Sequence, residues 1–254
     1  MQVDYDQVAP TYNRRYQANP LPDVAKTLRG LVEDFAARDI LEVGCGTGRW
    51  LEELQDITTH IIGLDRSPGM LTQAQLRRGC FGLVCGTSRD LPFPSNSFDW
   101  IYLVHAFHHF EQKEAFIHSA FRCLRPDGAL SILGMDPHSG HDRYYLYDYF
   151  ETTFQTDLER FPSAATIRDW MQSAGFHQIQ AGLAGKIDET FIGKDIWQDP
   201  FLEKNATSQL TLLSDERYRA GLERIRQALL LADREGRELV FRADIEITMM
   251  TGRK

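Results

Sequence analysis

The sequence predicts an α/β protein built on a doubly wound, mostly parallel sheet whose last strand runs antiparallel. Short apolar segments alternate with segments of helical spacing through the first half of the chain. This alternation is typical of βαβ units, in which helices cover both faces of a parallel sheet. Near the end, residues 240–250 instead alternate apolar and polar side chains, which predicts a half-buried strand.

The elements of the first half follow in order. Residues 22–36 have Pro22 near their start and a helical stripe formed by Val24, Leu28, Leu31 and Phe35. A second helix is predicted at about 48–54, and a third begins after Ser67, which serves as its N-cap. A fourth lies between the strands at 98–104 and 129–133, with Ile117, Ala120, Phe121 and Leu124 on one side. Apolar strands are predicted at 40–43, 61–64, 81–85, 98–104 and 129–133.

Two later segments interrupt this repeating pattern. Residues 136–162 are rich in His, Asp and Tyr, and residues 192–236 contain a predicted amphipathic helix that begins after Ser214. The strand at 240–250 is expected to pair with another at about 176–191. A length of 254 residues suits one domain, so the two segments are predicted to form a small helical cap and substrate insertions on it.

Composition narrows the function classes. The net charge of −8 disfavours a nucleic-acid partner, which would favour clustered Lys and Arg. The polar N-terminus and the lack of a long apolar run predict no signal peptide and no membrane partner. A cytoplasmic protein with reduced thiols is expected, since no C-x-x-C pair occurs among Cys45, Cys80, Cys85 and Cys123.

A glycine-rich turn at residues 42–48, EVGCGTG, follows a predicted strand and precedes a predicted helix. Three glycines in five residues favour close approach to a ligand over an ordinary tight turn. A dinucleotide site of the G-x-G-x-x-G type would need glycine where Arg49 stands. S-adenosylmethionine carries no phosphate, and its cationic amino and sulfonium groups favour a carboxylate such as that of Glu42.

Asp65 ends the next predicted strand, about 20 residues beyond Gly44. A carboxylate in this position can accept hydrogen bonds from both ribose hydroxyls of a nucleoside. The alternative is that Asp65 only caps the helix that begins near Ser67. The glycine-rich turn and Asp65 reinforce each other as indications of a nucleoside site, because they are separated by the expected number of residues.

Four segments, ILEVGCGTG, IIGLD, LPFPSNSFDW and LRPDGAL, resemble class I S-adenosylmethionine-dependent methyltransferases, in the branch with ubiquinone- and biotin-pathway-like enzymes. The resemblance covers residues 4–135 and the terminal hairpin. It implies a Rossmann-like seven-stranded sheet with an antiparallel last strand. It also implies that Asp65 binds the ribose and that the methionine part is approached by Gly44, Gly46 and Gly48. The neighbouring Cys45 and Arg66 are expected in the same site.

The resemblance to these methyltransferases is weaker in the segment expected to contact the cofactor's adenine and in the N-terminal segment. Many relatives have Gly-Asp-Ala where this chain has Gly86-Thr87-Ser88, so adenine contact is expected through the uncharged Thr87 and Ser88. Tyr12 lies in a Tyr-Asp-x-x-Ala-x-x-Tyr pattern that implies an N-terminal helix, residues 1–20, over the cofactor. A surface helix with two packing aromatic rings is an equal alternative.

Three histidines, His105, His108 and His109, follow the fourth strand and are candidate general bases. His105 is the first choice because it lies nearest the strand end, while a structural role is the alternative for His108 and His109. His138, His141 and Asp142 are interpreted as a polar loop rather than a metal site, so no metal is expected. The remaining aromatic run either lines an acceptor pocket or packs on the domain: Tyr144, Tyr145, Tyr147, Tyr149 and Phe150.

The predicted function is methyl transfer from S-adenosylmethionine to an oxygen, nitrogen or carbon atom of a small-molecule acceptor. One alternative is an S-adenosylmethionine-binding protein that has no catalytic activity or that acts on a protein or RNA acceptor, although the acidic balance speaks against RNA. Transfer of another group of the cofactor, such as aminopropyl, would need acidic clusters for a polyamine, and none is evident. The sequence predicts neither the acceptor's identity nor the oligomeric state.

Overall fold

The computed structural model describes residues 4–10, 12–13, 16, 19–58 and 60–254. Its strands are β1 Asp39–Val43, β2 His60–Asp65, β3 Gly82–Cys85, β4 Phe98–Val104, β5 Leu124–Gly134, β6 Arg143–Tyr144, β7 His177–Ile192 and β8 Val240–Arg253. Its helices are α1 Tyr5–Val8, α2 Pro22–Asp34, α3 Arg49–Leu54, α4 Pro68–Gln75, α5 Lys113–Cys123, α6 Tyr145–Tyr149, α7 Thr153–Arg160, α8 Ala164–Ala174, α9 Ser208–Thr211 and α10 Asp215–Arg234.

The strands form one sheet in the order β3-β2-β1-β4-β5-β8-β6, and β7 also pairs with β8. Strands β1 to β5 are parallel, whereas β8 is antiparallel to β5, β6 and β7. The chain leaves β1 towards β2 on one side and returns to β4 on the other. This reversal opens a crevice at the carboxyl ends of β1 and β4, where ligands bind in such sheets. The predicted doubly wound sheet and its antiparallel last strand are confirmed.

The described residues form eight strands rather than the seven that were expected. The additional strand is β6, whose two residues pair with Ala243 and Asp244 of β8. Pairing between β8 and β5 involves only the later part of β8, from Thr248 onwards. The earlier part of β8 therefore lacks a partner on the side that faces β5, and β6 pairs with two of its residues there.

Helices cover both faces of the sheet. One face packs against α2 and α3 through Val24, Leu28 and Leu51, and the other packs against α5 and α8 through Phe116 and Met171. The predicted helices at 22–36 and 48–54 are each slightly shorter in the structure. Strand β3 lies at the sheet edge and is only half-buried, unlike the other parallel strands.

The segments 136–162 and 192–236 pack together over the β7–β8 hairpin. Helix α10 begins after Ser214, as predicted, and the Ser214 hydroxyl accepts a hydrogen bond from the Arg217 amide at 3.2 Å. No helix in the described part of the chain is long and apolar enough to cross a membrane. The apolar cluster that joins the two segments to the hairpin includes Tyr145, Leu146, Phe150, Ile196, Leu210, Ile225 and Phe241.

Candidate active site

A cavity of about 320 Å³, here called the crevice cavity, lies at the carboxyl ends of β1, β2 and β4. Its position matches the topological switch point of the sheet. Of the residues predicted to bind a cofactor, only Gly48 lies outside its lining. The predicted residues that line it are Tyr12, Glu42, Gly44, Cys45, Gly46, Asp65, Arg66, Thr87 and Ser88.

The three glycines of the turn all have positive φ angles, between 52° and 76°. A Cβ on Gly44 would lie 2.5 Å from the Ala106 Cβ, so this glycine lets the loop after β4 approach the turn. A Cβ on Gly46 would meet no protein atom within 4 Å and would enter the open space of the cavity. A Cβ on Gly48 would lie 3.1 Å from the Ala74 Cβ, so Gly48 packs the turn against α4.

Asp65 links two turns at the cavity wall. Its Oδ2 accepts a hydrogen bond from the Gly46 amide at 2.8 Å, and its Oδ1 accepts one from the Ser67 amide at 2.9 Å. The Ser67 hydroxyl in turn caps α4 by accepting from the Met70 amide at 3.0 Å. Burial raises the pKa of Asp65. The capping interpretation and the ligand interpretation are thus compatible, because Asp65 orders both turns and also lines the cavity.

Glu42 is a buried carboxyl at the same wall, with only 1% of its surface exposed. Its Oε2 accepts a hydrogen bond from the Tyr102 hydroxyl at 3.1 Å. Burial raises its pKa well above the usual range, and the nearby Asp65 adds to that effect. A cation bound in the cavity would stabilise the ionised form, since charges interact strongly in a site of low dielectric constant.

We expect Asp65→Ala to weaken binding of S-adenosylmethionine by about 1–3 kcal/mol, because the ribose hydroxyls lose a charged acceptor. The melting temperature should also fall, since two backbone N–H groups lose their partner. Isothermal titration calorimetry and a thermal melt measure the two effects. A lower melting temperature with unchanged affinity would show that Asp65 only orders the turns.

The N-terminal residues that the structure describes cover one side of the crevice cavity. Tyr5 and Tyr12 line it, and Asp6 accepts hydrogen bonds from the Ser67 hydroxyl at 2.6 Å and the Gly69 amide at 2.8 Å. Within the predicted helix at 1–20, the range Tyr5–Val8 forms α1. Residues 1–3, 11, 14–15 and 17–18 of that prediction lie outside the described residues.

A second cavity of about 90 Å³, here called the cap cavity, adjoins the first. Side chains from the β7–β8 hairpin and from the segments 136–162 and 192–236 line it. Among the described residues that line the cap cavity there is no Lys or Arg. Four residues line both cavities, so the two share a wall: Tyr5, Tyr12, His105 and His109. The other side chains in the cap cavity include Met135, Tyr144, Ile187, Glu189, Phe191, Asp199, Phe201, Ser208, Gln209 and Ile245.

The structure distinguishes the three candidate histidines. His105 follows β4 directly, has a positive φ of 52°, and donates from its amide to the Leu133 carbonyl at 2.9 Å. His108 lines only the cap cavity of these two and stacks on Phe161 at 4.1 Å. Burial lowers the pKa of His108 well below its usual value, and His109 adds to that effect. His108 is therefore a neutral imidazole at neutral pH.

The remaining polar and aromatic candidates are held by contacts within the fold. His138 Nε2 lies 2.8 Å from the Phe161 carbonyl, and the Glu246 amide donates to Asp142 Oδ1 at 2.9 Å. No group of three or more metal-ligating side chains occurs among the residues the structure describes, and the absence of a metal stays a prediction. Of the aromatic run, Tyr144 reaches the cap cavity, whereas the Tyr145 hydroxyl donates to Asp199.

Several lining residues had no sequence motif to mark them. Trp50 and Met70 come from α3 and α4, and residues 110–112 follow the histidines in the loop after β4. Their positions depend on how helices pack beside the crevice, which local sequence does not encode. Residues 110–112 could have been predicted, because the histidines that precede them after β4 were already expected to lie beside the methyl-transfer site.

Comparison with known proteins agrees with the resemblance to methyltransferases that the sequence motifs show. The family model described as "Methyltransferase domain" matches residues 41–132. The "Probable S-adenosylmethionine-dependent methyltransferase" of Mycolicibacterium smegmatis is 27% identical over 146 residues, which is 58% of this chain and 54% of that protein. The "Demethylmenaquinone methyltransferase" of Beutenbergia cavernae is 25% identical over 195 residues, which is 71% of this chain and 81% of that protein.

A solved structure shares the whole fold. It is a SAM-dependent methyltransferase of Thermotoga maritima, a "possible histamine N-methyltransferase", with a TM-score of 0.61, 18% identity and 98% coverage of both chains. The chain spans about half the length of the first curated relative. The matched segment contains the glycine turn, Asp65 and the strands that form the crevice. Residues 41–132 thus match a methyltransferase domain, and the chain is similar in sequence motifs and in fold to class I S-adenosylmethionine-dependent methyltransferases.

Proposed function

We propose that the protein transfers a methyl group from S-adenosylmethionine in the crevice cavity to a small-molecule acceptor in the cap cavity. The wall that the two cavities share carries this proposal. A sulfonium methyl at that wall can face an acceptor atom on the other side in the geometry of in-line displacement. The protein then contributes mainly alignment and the exclusion of water.

The cofactor would be held by the residues that line the crevice cavity. Gly46 leaves room for the methionine part, Gly44 lines the same cavity, and Glu42 provides a carboxylate for the amino group of the cofactor. Asp65 would accept from the ribose hydroxyls, and Thr87 and Ser88 would contact the adenine. Tyr5 and Tyr12 would cover the cofactor from the N-terminal side.

The shape and charge of the cap cavity support a small, neutral or cationic acceptor. Its volume is about 90 Å³ and its walls are largely apolar, with the carboxylates of Glu189 and Asp199 among its polar groups. An anionic acceptor would lack a charged partner in the described lining. The net charge of −8 disfavours RNA as the acceptor. The segments 136–162 and 192–236 would set which acceptor enters.

The proposal is tested by incubating the protein with methyl-labelled S-adenosylmethionine and three separate acceptor fractions: small metabolites, RNA and proteins. We expect label in the small-metabolite fraction, and mass spectrometry then identifies the product. Label confined to RNA or protein would contradict a small-molecule acceptor, and the absence of label from all three fractions would contradict methyl transfer.

A bulky side chain in the cap cavity should block the acceptor and spare the cofactor. Ser208 opens α9 and lines this cavity only, so Ser208→Trp is expected to lower turnover of the identified acceptor at least about tenfold. Affinity for S-adenosylhomocysteine should stay within about twofold of wild type, because the crevice cavity is unchanged. Turnover assays and calorimetry measure the two quantities.

Asn205→Trp is the matched control, because Asn205 is exposed in the same segment and lines neither cavity. It should leave turnover close to wild type. Full activity of Ser208→Trp on the same acceptor would show that the acceptor binds elsewhere.

A further inference from the structure

A buried ion pair lies behind the histidine loop. Asp157 of α7 has no exposed surface, and its Oδ2 accepts from the Tyr147 hydroxyl at 2.9 Å and the Gln209 amide nitrogen at 2.7 Å. Its Oδ1 accepts from the Arg160 guanidinium at 3.3 Å. The side chain of Arg160 is only 14% exposed. Asp157 thus compensates the charge of Arg160 and fixes its direction.

The same guanidinium contacts a candidate catalytic histidine. Arg160 lies 3.4 Å from His109 Nδ1, and His109 Nε2 lies 2.6 Å from the Tyr5 hydroxyl oxygen. A guanidinium has only donors, so His109 Nδ1 must accept. The imidazole then carries its proton on Nε2 and donates it to the Tyr5 oxygen. This contact selects one tautomer of a neutral ring.

The charged and titratable groups near His109 are His105 and His108 in the same loop, Tyr5 of α1, Lys113 of α5, and Asp157 and Arg160 of α7. Among these, the guanidinium of Arg160 contacts the ring and disfavours a positive charge on it, because like charges repel. Arg160 contributes in the same way to the lowered pKa of His108, after burial and His109 itself. A positive charge on His109, which lies at the wall shared by the two cavities, would repel a sulfonium bound in the crevice cavity.

We infer that Arg160 is a positioning residue for methyl transfer, which holds His109 as the neutral Nε2–H tautomer and thereby fixes Tyr5 at the wall between the two cavities. The inference rests on the proposed function. Arg160 lines neither cavity and acts only through His109. His109 accordingly serves as a hydrogen-bond donor, and the role of base remains with His105.

The tautomer can be read directly by nitrogen NMR of protein labelled with ¹⁵N-histidine. In wild type, His109 should remain the Nε2–H tautomer from pH 5.5 to 8. In Arg160→Met it should exchange between tautomers and take up a proton at a higher pH than in wild type, because the neighbouring positive charge is gone. His109→Gln assigns the signal, and Arg160→Lys, which keeps a positive charge beside Asp157, should restore the Nε2–H tautomer.

A functional measurement accompanies the NMR. Below about pH 6.5, the affinity of Arg160→Met for S-adenosylmethionine should fall up to about tenfold per pH unit, because protonated His109 repels the sulfonium. Affinity for the uncharged thioether of S-adenosylhomocysteine should fall much less, and wild type should show no such loss. Arg168→Met is the control, because Arg168 of α8 donates to the Ile179 carbonyl and lines neither cavity.

If Arg160→Met fails to fold because Asp157 loses its cationic partner, the double variant Asp157→Asn with Arg160→Met removes both charges together. An unchanged tautomer and pH profile in the folded variant would overturn the inference, as would ordinary titration of His109 in wild type. The NMR needs neither cofactor nor acceptor. Failure of the positioning role is therefore distinguishable from failure of methyl transfer, which would appear as the lack of labelled product in wild type.

Discussion

Replacing Gly46 by valine is expected to abolish detectable binding of S-adenosylmethionine while the protein remains folded. No protein atom lies within 4 Å of the position that a Cβ on Gly46 would take, and this position opens into the crevice cavity. The new side chain would therefore collide with the ligand and not with the protein. We expect the affinity to fall by about 100-fold or more, which corresponds to about 2.7 kcal/mol.

Gly193→Val separates this effect from backbone strain. Gly193 has a φ of 56°, close to the 52° of Gly46, and a Cβ there would also meet no protein atom within 4 Å. A branched side chain in the left-handed region costs about 1–2 kcal/mol at either position. Both variants should therefore lose similar thermal stability, and only Gly46→Val should lose the ligand. Wild-type affinity in Gly46→Val would show that the cofactor does not pass this turn.

Replacing His105 by alanine should slow methyl transfer by about 10²–10⁴-fold if His105 is the general base. His105 lies on the wall between the cavities, and its positive φ of 52° holds it in a conformation that L side chains rarely adopt. Affinity for S-adenosylhomocysteine should change little. Single-turnover rates and calorimetry with the acceptor identified by labelling measure the two quantities.

The pH dependence provides a second criterion for His105. A base must be unprotonated, so the rate in wild type should rise as pH rises through its ionisation, and this rise should vanish in His105→Ala. His118→Ala is the control, since His118 is exposed on α5 and lines neither cavity. A loss of less than about tenfold with an unchanged pH profile would show that alignment alone drives the reaction.

The cofactor side of the site was predictable because its determinants are local. The turn at Gly44 and Gly46 and the carboxylate of Asp65 each follow a short apolar strand, and parallel strands bring their carboxyl ends to one edge. Hydrophobic alternation also predicted strand β8, and helical spacing predicted the helix after Ser214. These features need only neighbouring residues and the general rules of βαβ connection.

The cap cavity was not predictable to the same depth because its lining depends on contacts between residues that are distant in the sequence. Asp199 and Gln209 reach the cap cavity from a segment without strand or helix periodicity over much of its length. The contact between Arg160 and His109 joins residues 51 positions apart. Strand β6 has only two residues and exists because β8 extends beyond β5.

Calorimetric titration of the protein with S-adenosylhomocysteine, and separately with NADH, distinguishes a methyltransferase cofactor site from a dinucleotide site. The crevice cavity is lined by the G-x-G-x-G turn, which is followed by Arg49 in place of the glycine that a dinucleotide site needs, and by the carboxyls of Glu42 and Asp65. We predict saturable one-to-one binding of S-adenosylhomocysteine and no heat with NADH. Heat with NADH and none with S-adenosylhomocysteine would show that the crevice cavity is a dinucleotide site and not a site for S-adenosylmethionine.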